Sequence, residues 1–220
     1  MTTSAAAERL GVSQRQVQRL IEARDLPATR TAGDAWVVDA LAVNAMARTR
    51  PARGRPWSPA TAWAALWRLS GLEVDWLDRR TMRRLDDRLA SIDAEELVHA
   101  TRRRAAVRRY RASGSFLADL DALVIHSGVR AMELSRFGMD ADLGRVDGYC
   151  TSEAADGLAR DFHLVEDPRG DVTLRVAAVP SVALVGRDTM PVAVVAADLV
   201  ESLEVRERSA GLRVLEDLLR

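Results

Sequence analysis

Near the start of the chain, a glycine and a serine separate two helical patterns. Gly11 lies where a helix end needs a positive φ, and Ser13 precedes an amphipathic segment that begins at Gln14. Ser13 and Gln16 have the spacing of a capping box, in which the serine side chain accepts a hydrogen bond from the amide three residues on. The pattern predicts two helices within residues 4–23, joined by a tight turn.

The second predicted helix has two unlike faces. Val17, Leu20 and Ile21 follow the i, i+3, i+4 spacing of an apolar stripe, which we expect to pack against the first helix. The other face carries long polar side chains, namely Gln14, Arg15, Gln18 and Arg19. Their amide and guanidinium groups can pair with base edges or phosphates in the major groove of DNA. This predicts a recognition helix, and an ordinary solvated helix face stays open as the alternative.

A wing is predicted directly after this helix. Two short strands, within residues 26–30 and 36–38, flank a polar turn at 31–34. We expect Arg30, at the rim of the wing, to contact the DNA backbone. Asp39 then has the position of an N-cap for a helix over residues 40–47.

These motifs together resemble the winged helix-turn-helix of excisionase and MerR-like regulators. The resemblance rests on Ala7, Arg9, Leu10, Gly11, Val12, Ser13, Val17, Arg19, Leu20, Ile21, Glu22, Leu26, Pro27, Ala28, Thr29, Arg30, Trp36, Val37, Val38 and Asp39. It implies a DNA-binding domain over residues 1–47, whose partner is double-stranded DNA.

A basic linker is predicted to follow this domain. Residues 48–56 combine four arginines with two prolines and a glycine, which disfavours both helix and strand. Residues 57–220 then form the second domain. The linker either contacts phosphates or is only a connector, and both interpretations stay open.

Composition and charge limit the possible functions. Residues 1–112 hold 21 Arg against 13 acidic residues (+8), whereas 113–220 hold 11 against 19 (−8), so the two parts suit different partners. A single cysteine and three scattered histidines predict neither a disulfide nor a metal site, and no cofactor motif is present. Without a signal peptide or a membrane span, we expect a cytoplasmic protein with no membrane partner.

The middle of the chain is predicted to be helical. A helix opens at Ser58 and Pro59 and runs to Ser70, with Trp63 and Trp67 on its apolar face as core residues rather than base-stacking ones. Further helices are expected over 76–89 and 94–111. The arginines of the last segment either touch nucleic acid or form a solvated face.

The C-terminal part is predicted to be mixed α/β, so the whole chain is α+β. Strands are expected over 145–150, 162–166 and 172–176, and helices over 151–159, 196–202 and 206–219. The turn signal at residues 167–170 predicts a hairpin between the last two strands. Alternation in the last strand predicts one buried face, with Val172, Leu174 and Val176, and one exposed face, with Thr173 and Arg175.

No arrangement of residues predicts an active site, so we expect a protein that is not an enzyme. Ser115 followed by Asp119 and Asp121 is similar to a nucleotidyltransferase motif, but the serine lies too close to the first aspartate. We expect these acids, and Asp140, Asp142 and Asp147, to be surface or helix-cap residues.

Motifs spread over most of the chain resemble AbiEi-like antitoxins of type IV toxin-antitoxin systems. They are residues 55–64, 126–131, 147–149, 197–199 and 206–212. The resemblance implies an antitoxin that represses its own operon and counteracts a nucleotidyltransferase-like toxin. A stand-alone regulator whose C-terminal domain binds a ligand or dimerises stays open as the alternative, as does a nucleic-acid enzyme that depends on Asp119 and Asp121. The oligomeric state, including a homodimer, is also open.

Overall fold

The structure is a computed structural model that describes residues 1–23, 25–31, 35–48, 55–131, 136–177 and 184–220. The chain divides into two compact units, Met1–Ala52 (the N-terminal unit) and Arg53–Arg220 (the C-terminal unit). Most of the predicted linker and of the predicted wing turn lies outside the described residues. The fold is α+β, as predicted, with a helix-turn-helix in the first unit and a sheet in the second.

The N-terminal unit packs three helices against a small antiparallel sheet. Its elements are α1 (Thr3–Leu10), α2 (Gln14–Glu22), β1 (Ala28–Arg30), β2 (Trp36–Val38) and α3 (Ala40–Arg48). Gly11 ends α1 with a φ of 63°, and Ser13 Oγ accepts a hydrogen bond from the Gln16 amide at 3.3 Å, so both predicted turn signals are confirmed. Asp39 Oδ1 accepts from the Leu41 amide at 2.7 Å and begins α3.

The C-terminal unit is a sheet covered by helices on both faces. Its elements are α4 (Pro59–Leu69), α5 (Arg79–Leu89), α6 (Ala94–Thr101), β3 (Ala105–Arg111), α7 (Leu117–Asp121), β4 (Ile125–His126), β5 (Val146–Cys150), α8 (Ser152–Asp161), β6 (Val165–Glu166), β7 (Val172–Ala177), α9 (Val192–Val200) and α10 (Val205–Leu218). The strand order is β4-β5-β7-β3-β6, and β5 runs parallel to β7 while the other pairs are antiparallel. None of the helices in the described part of the chain is long and apolar enough to cross a membrane.

Two apolar cores lie on the two faces of this sheet. On one face, Val172 and Leu174 of β7 pack with Leu120 of α7 and Leu158 of α8. The other core contains residues of α4, α6, α9 and α10, and Tyr149 of β5 belongs to it. Trp63 is fully buried there, and its ring lies 5.3 Å from both the Trp67 and the Tyr149 rings, so the core interpretation of the tryptophans is confirmed.

The predicted helix over 94–111 is wrong in its second half. α6 ends at Thr101, and Ala105–Arg111 is the strand β3, which pairs with β7 along most of its length. Arginine and alanine are good helix formers, so local propensity favoured a continuous helix. Pairing with β7, a partner distant in sequence, overrides that preference.

The predicted hairpin is also wrong, because β6 and β7 do not pair with each other. They lie on opposite sides of β3, with Glu166 and Val172 both opposite Tyr110. The connecting segment crosses β3 so closely that a Cβ on Gly170 would lie 1.9 Å from the Tyr110 carbonyl oxygen. Glycine is therefore required for the close approach of two backbones rather than for a hairpin turn.

The expected exposed face of β7 is buried. Thr173 is 6% exposed and Arg175 only 3%, because α9 covers that side of the central strand. An alternating pattern normally indicates a half-buried strand. Here the polar positions are buried because they pair with other polar groups, described below.

Candidate nucleic-acid interface

Helix α2 is seated in the N-terminal unit by its apolar side. Val17 is fully buried and Ile21 nearly so, and they pack with Ala6 of α1, Leu26, Val38 of β2 and Val43 of α3. Burial of this stripe fixes the rotation of the helix about its axis, since turning it would expose Val17 to water. The opposite side of α2 therefore faces solvent.

The four polar side chains predicted to read DNA all lie on that solvent side. Gln14, Arg15, Gln18 and Arg19 are exposed, and none of them makes a hydrogen bond or ion pair with any residue that the structure describes. Residues 14 and 18, and likewise 15 and 19, are one helical turn apart, so the four form a continuous strip. Their donors and acceptors are thus available to base edges or phosphates.

The wing carries the fifth predicted residue. Arg30, at the end of β1, is exposed, and its guanidinium carbon lies 4.8 Å from the centre of the Trp36 ring on β2. This cation–π contact restrains the arginine on the exposed side of the β1–β2 pair. β1 and β2 are closed at their ends by the Thr31 amide, which donates to the Ala35 carbonyl at 2.9 Å.

The sequence analysis did not predict a dense polar cluster that lies inside the C-terminal unit. Arg104, between α6 and β3, is 1% exposed, although it was predicted to touch nucleic acid or solvent. Its guanidinium donates to Asp198 at 2.5 Å, to Glu201 at 2.8 Å and to the Tyr149 hydroxyl at 3.2 Å. The prediction fails because two carboxylates distant in sequence, Asp198 on α9 and Glu201 directly after it, satisfy this arginine in the interior.

A second buried arginine joins the same cluster. Arg175 of β7 donates to both carboxylate oxygens of Asp147, at 2.7 and 3.1 Å, and its Nη1 lies 3.1 Å from Asp198. Asp147 was expected at the surface but is 5% exposed, because this two-pronged ion pair satisfies both of its oxygens. Asp198 also accepts from Tyr149 and Ser127, so it lies at the centre of the cluster.

The charges of this cluster are fixed by their mutual contacts. Burial alone lowers the pKa of Arg104, but the nearby Glu201 and Asp198 carboxylates outweigh it, so the pKa rises well above its ordinary value. Burial and the neighbouring Asp198 likewise raise the pKa of the Tyr149 hydroxyl well above its usual range. One sequence signal could have indicated the cluster: Asp198 is the only acid within the otherwise apolar residues 192–200.

The acids considered as a catalytic motif are placed differently. Asp119 of α7 is exposed, whereas Asp121 pairs with Arg130 and lies 3.3 Å from the His126 ring. Over the described part of the chain, no group of three or more histidine, cysteine, aspartate or glutamate side chains is placed to hold a metal ion. Asp121 is thus engaged in an ion pair within the fold.

Comparison with known proteins identifies only the N-terminal unit. No curated protein and no solved structure is significantly similar to the chain. Residues 1–51 match the family model described as a helix-turn-helix domain. The N-terminal unit is therefore a helix-turn-helix domain, a fold that belongs to DNA-binding proteins.

Proposed function

We propose that this chain is a DNA-binding transcriptional regulator that places α2 in the major groove. The observation that carries the proposal is the strip of four exposed, unpaired side chains on α2, opposite the stripe that seats the helix. Gln14, Arg15, Gln18 and Arg19 would contact bases or phosphates, and Arg30 on the wing would contact the adjacent backbone. No step of this function requires catalysis, a metal or a cofactor.

The experiment is a binding titration with the DNA upstream of the chain's own gene. The test variant combines Arg15→Ala and Arg19→Ala, and the matched control combines Arg80→Ala and Arg84→Ala on α5, which are also exposed and one turn apart. Both variants lose two positive charges, so a difference between them reports the location of the interface. We expect strong loss of binding for the first and little change for the second; equal effects would contradict the proposal.

We further propose, at a finer level, that the chain is an antitoxin and autorepressor that counteracts a nucleotidyltransferase-like toxin. The support is the resemblance to AbiEi-like antitoxins. Four residues of its separate motifs, Ser127, Asp147, Tyr149 and Asp198, meet in the buried cluster of the C-terminal unit. Motifs far apart in sequence thus form one piece of structure, as expected if they define a domain type.

The antitoxin role is tested by co-expression with the adjacent gene, with growth as the measurement. The full chain and the Arg15→Ala, Arg19→Ala variant should both restore growth if neutralisation does not require DNA binding. Failure of both to restore growth, with DNA binding intact in the unmodified chain, would contradict the antitoxin role and leave the regulator.

A further inference from the structure

One edge of the sheet in the C-terminal unit is open along β3. β7 pairs with Ala105–Tyr110 on one side, whereas β6 covers only Tyr110 and Arg111 on the other. The Asp167 amide donates to the Arg109 carbonyl, so Arg109 points its main-chain groups toward the β6 side. Main-chain groups alternate along a strand, so Val107 and Ala105 point theirs to the same side, where no described residue pairs with them.

The side chains along this edge confirm that it is uncovered. Ala106 and Val107 project from opposite faces of the strand, yet both are exposed, and Val107 is 40% accessible. Val165 of β6, the outermost strand on this side of the sheet, is 66% accessible. Proteins normally cover an open strand edge or protect it with charge, because it can template pairing with another chain.

The charge along the edge is positive. Arg102 and Arg103 are exposed immediately before β3, and Arg109 lies on the same face of the sheet as Val107. The Arg109 guanidinium is half-buried but makes no hydrogen bond or ion pair with the described residues. Burial and the neighbouring Arg175 lower its pKa, so an added carboxylate would both accept its hydrogen bonds and stabilise its charge.

We propose that the open edge of β3, from Ala105 to Val107, binds an extended acidic segment of a partner protein as an added strand. The segment would occupy the position that β6 leaves empty, take its main-chain hydrogen bonds from Val107 and Ala105, and place a carboxylate on Arg109. A second copy of this chain does not supply this carboxylate, because antiparallel pairing centred on Val107 would place Ala105 of one copy opposite Arg109 of the other, along two edges that are both positively charged. The proposal is independent of DNA binding by α2.

The test uses the full chain and a short labelled peptide that alternates glutamate with valine, followed by fluorescence anisotropy. A peptide with glutamine in place of glutamate is the reference. We expect the acidic peptide to bind at least about tenfold more tightly, with the difference falling as salt rises.

Three variants locate the site. Arg109→Gln should remove most of the preference for glutamate, and Val107→Pro should abolish binding, because proline removes the edge-facing N–H without touching a β3–β7 hydrogen bond. Arg83→Gln on α5, also exposed, is the control and should bind normally. If Val107→Pro does not fold, a peptide N-methylated at alternate residues replaces it. Such a peptide lacks the main-chain N–H groups that would pair with β3, so its binding should also be lost.

Several results would overturn the proposal. These are no binding of the acidic peptide, equal binding of the two peptides, or unchanged binding by both Arg109→Gln and the N-methylated peptide. A single-stranded oligonucleotide that binds through Arg102 and Arg103 and displaces the peptide would indicate a nucleic-acid surface instead. Appearance of dimers that depend on Val107 would indicate self-pairing.

Discussion

The arginines of α2 and those of the C-terminal core are the same side chain in opposite surroundings. Arg15 and Arg19 are exposed and have no partner among the described residues, whereas Arg104 and Arg175 are almost completely buried and each contacts several carboxylate or hydroxyl oxygens. A solvated guanidinium keeps its donors for a ligand. A buried one must have them satisfied inside the fold, since an unpaired buried charge is very costly.

An arginine-rich segment therefore indicates a nucleic-acid contact only when the fold leaves it exposed. Arg15, Arg19 and Arg104 all belong to basic stretches of sequence, and the segment around Arg104 is the densest in arginine. What separates them is the partner supplied from elsewhere: α9 brings Asp198 and Glu201 to Arg104, and no described element brings an acid to α2.

Among the substitutions that test this comparison, Asp198→Ala should cause the largest loss of stability. Loss of the central carboxylate leaves Arg104 and Arg175 short of a buried partner, so we expect the free energy of unfolding to fall by about 3–5 kcal/mol. Urea unfolding followed by tryptophan fluorescence measures it, with the exposed Asp86→Ala as control. A loss below about 1 kcal/mol would mean that the buried charges are not held by this carboxylate.

On the solvated side of the comparison, Arg19→Ala should affect binding and not stability. We expect affinity for the upstream DNA to weaken by about 1–3 kcal/mol if Arg19 meets a base, or the salt slope of binding to fall by about one if it meets a phosphate. The unfolding free energy should stay unchanged within about 0.5 kcal/mol. Unchanged DNA binding would remove Arg19 from the interface.

The dependence of stability on alkaline pH tests the burial of the Cys150 thiol beside Arg108. Burial raises the pKa of the Cys150 thiol to about 11, and Arg108 opposes this shift without overcoming it. Because the unfolded chain releases this proton near its ordinary pKa of 9.0, stability should fall as pH rises from there through the folded pKa.

The expected loss in unfolding free energy is about 2–3 kcal/mol. Tyr149 shifts in the same direction, so Cys150→Ala isolates the thiol by removing its part of the decline. A pH profile identical in Cys150→Ala and in the unmodified chain would show that the thiol contributes nothing.

The smallest expected effect belongs to an exposed ion pair within the same unit. Arg68 of α4 and Asp86 of α5 lie 3.1 Å apart, but about half of each side chain is accessible. Water and salt screen such a pair, so Arg68→Ala should change the unfolding free energy by less than about 1 kcal/mol. A loss of unfolding free energy as large as that caused by Asp198→Ala would mean that exposed and buried arginines contribute equally to stability.

Features set by near neighbours could be predicted from the sequence. Gly11, Ser13 and the stripe of Val17 and Ile21 are local signals, and they correctly gave the two helices and the outward face of α2. The strands β5 and β7 were also predicted, and in β7 the signal is the β-branched residues Val172, Thr173 and Val176 directly after a turn signal.

Features set by distant partners could not be predicted. Arg104 and Asp198 are 94 positions apart, and no sequence pattern around either residue indicates that the other is its partner. β3 was predicted as a helix because its strand state depends on β7. The turn at residues 167–170 was predicted correctly, since the Gly170 amide donates to the Asp167 carbonyl at 2.9 Å, but the strands on either side of it pair with β3 and not with each other. Long-range pairing thus decided each error.

The position of β3 between β6 and β7 has a consequence for synthesis of the chain. Both neighbours come from residues 165–177, so the ribosome releases β3 more than fifty residues before either of them. Throughout that interval the nascent strand has two unpaired edges, which invites aggregation. The five arginines at 102–104, 108 and 109 make such encounters between nascent chains mutually repulsive until the later strands arrive.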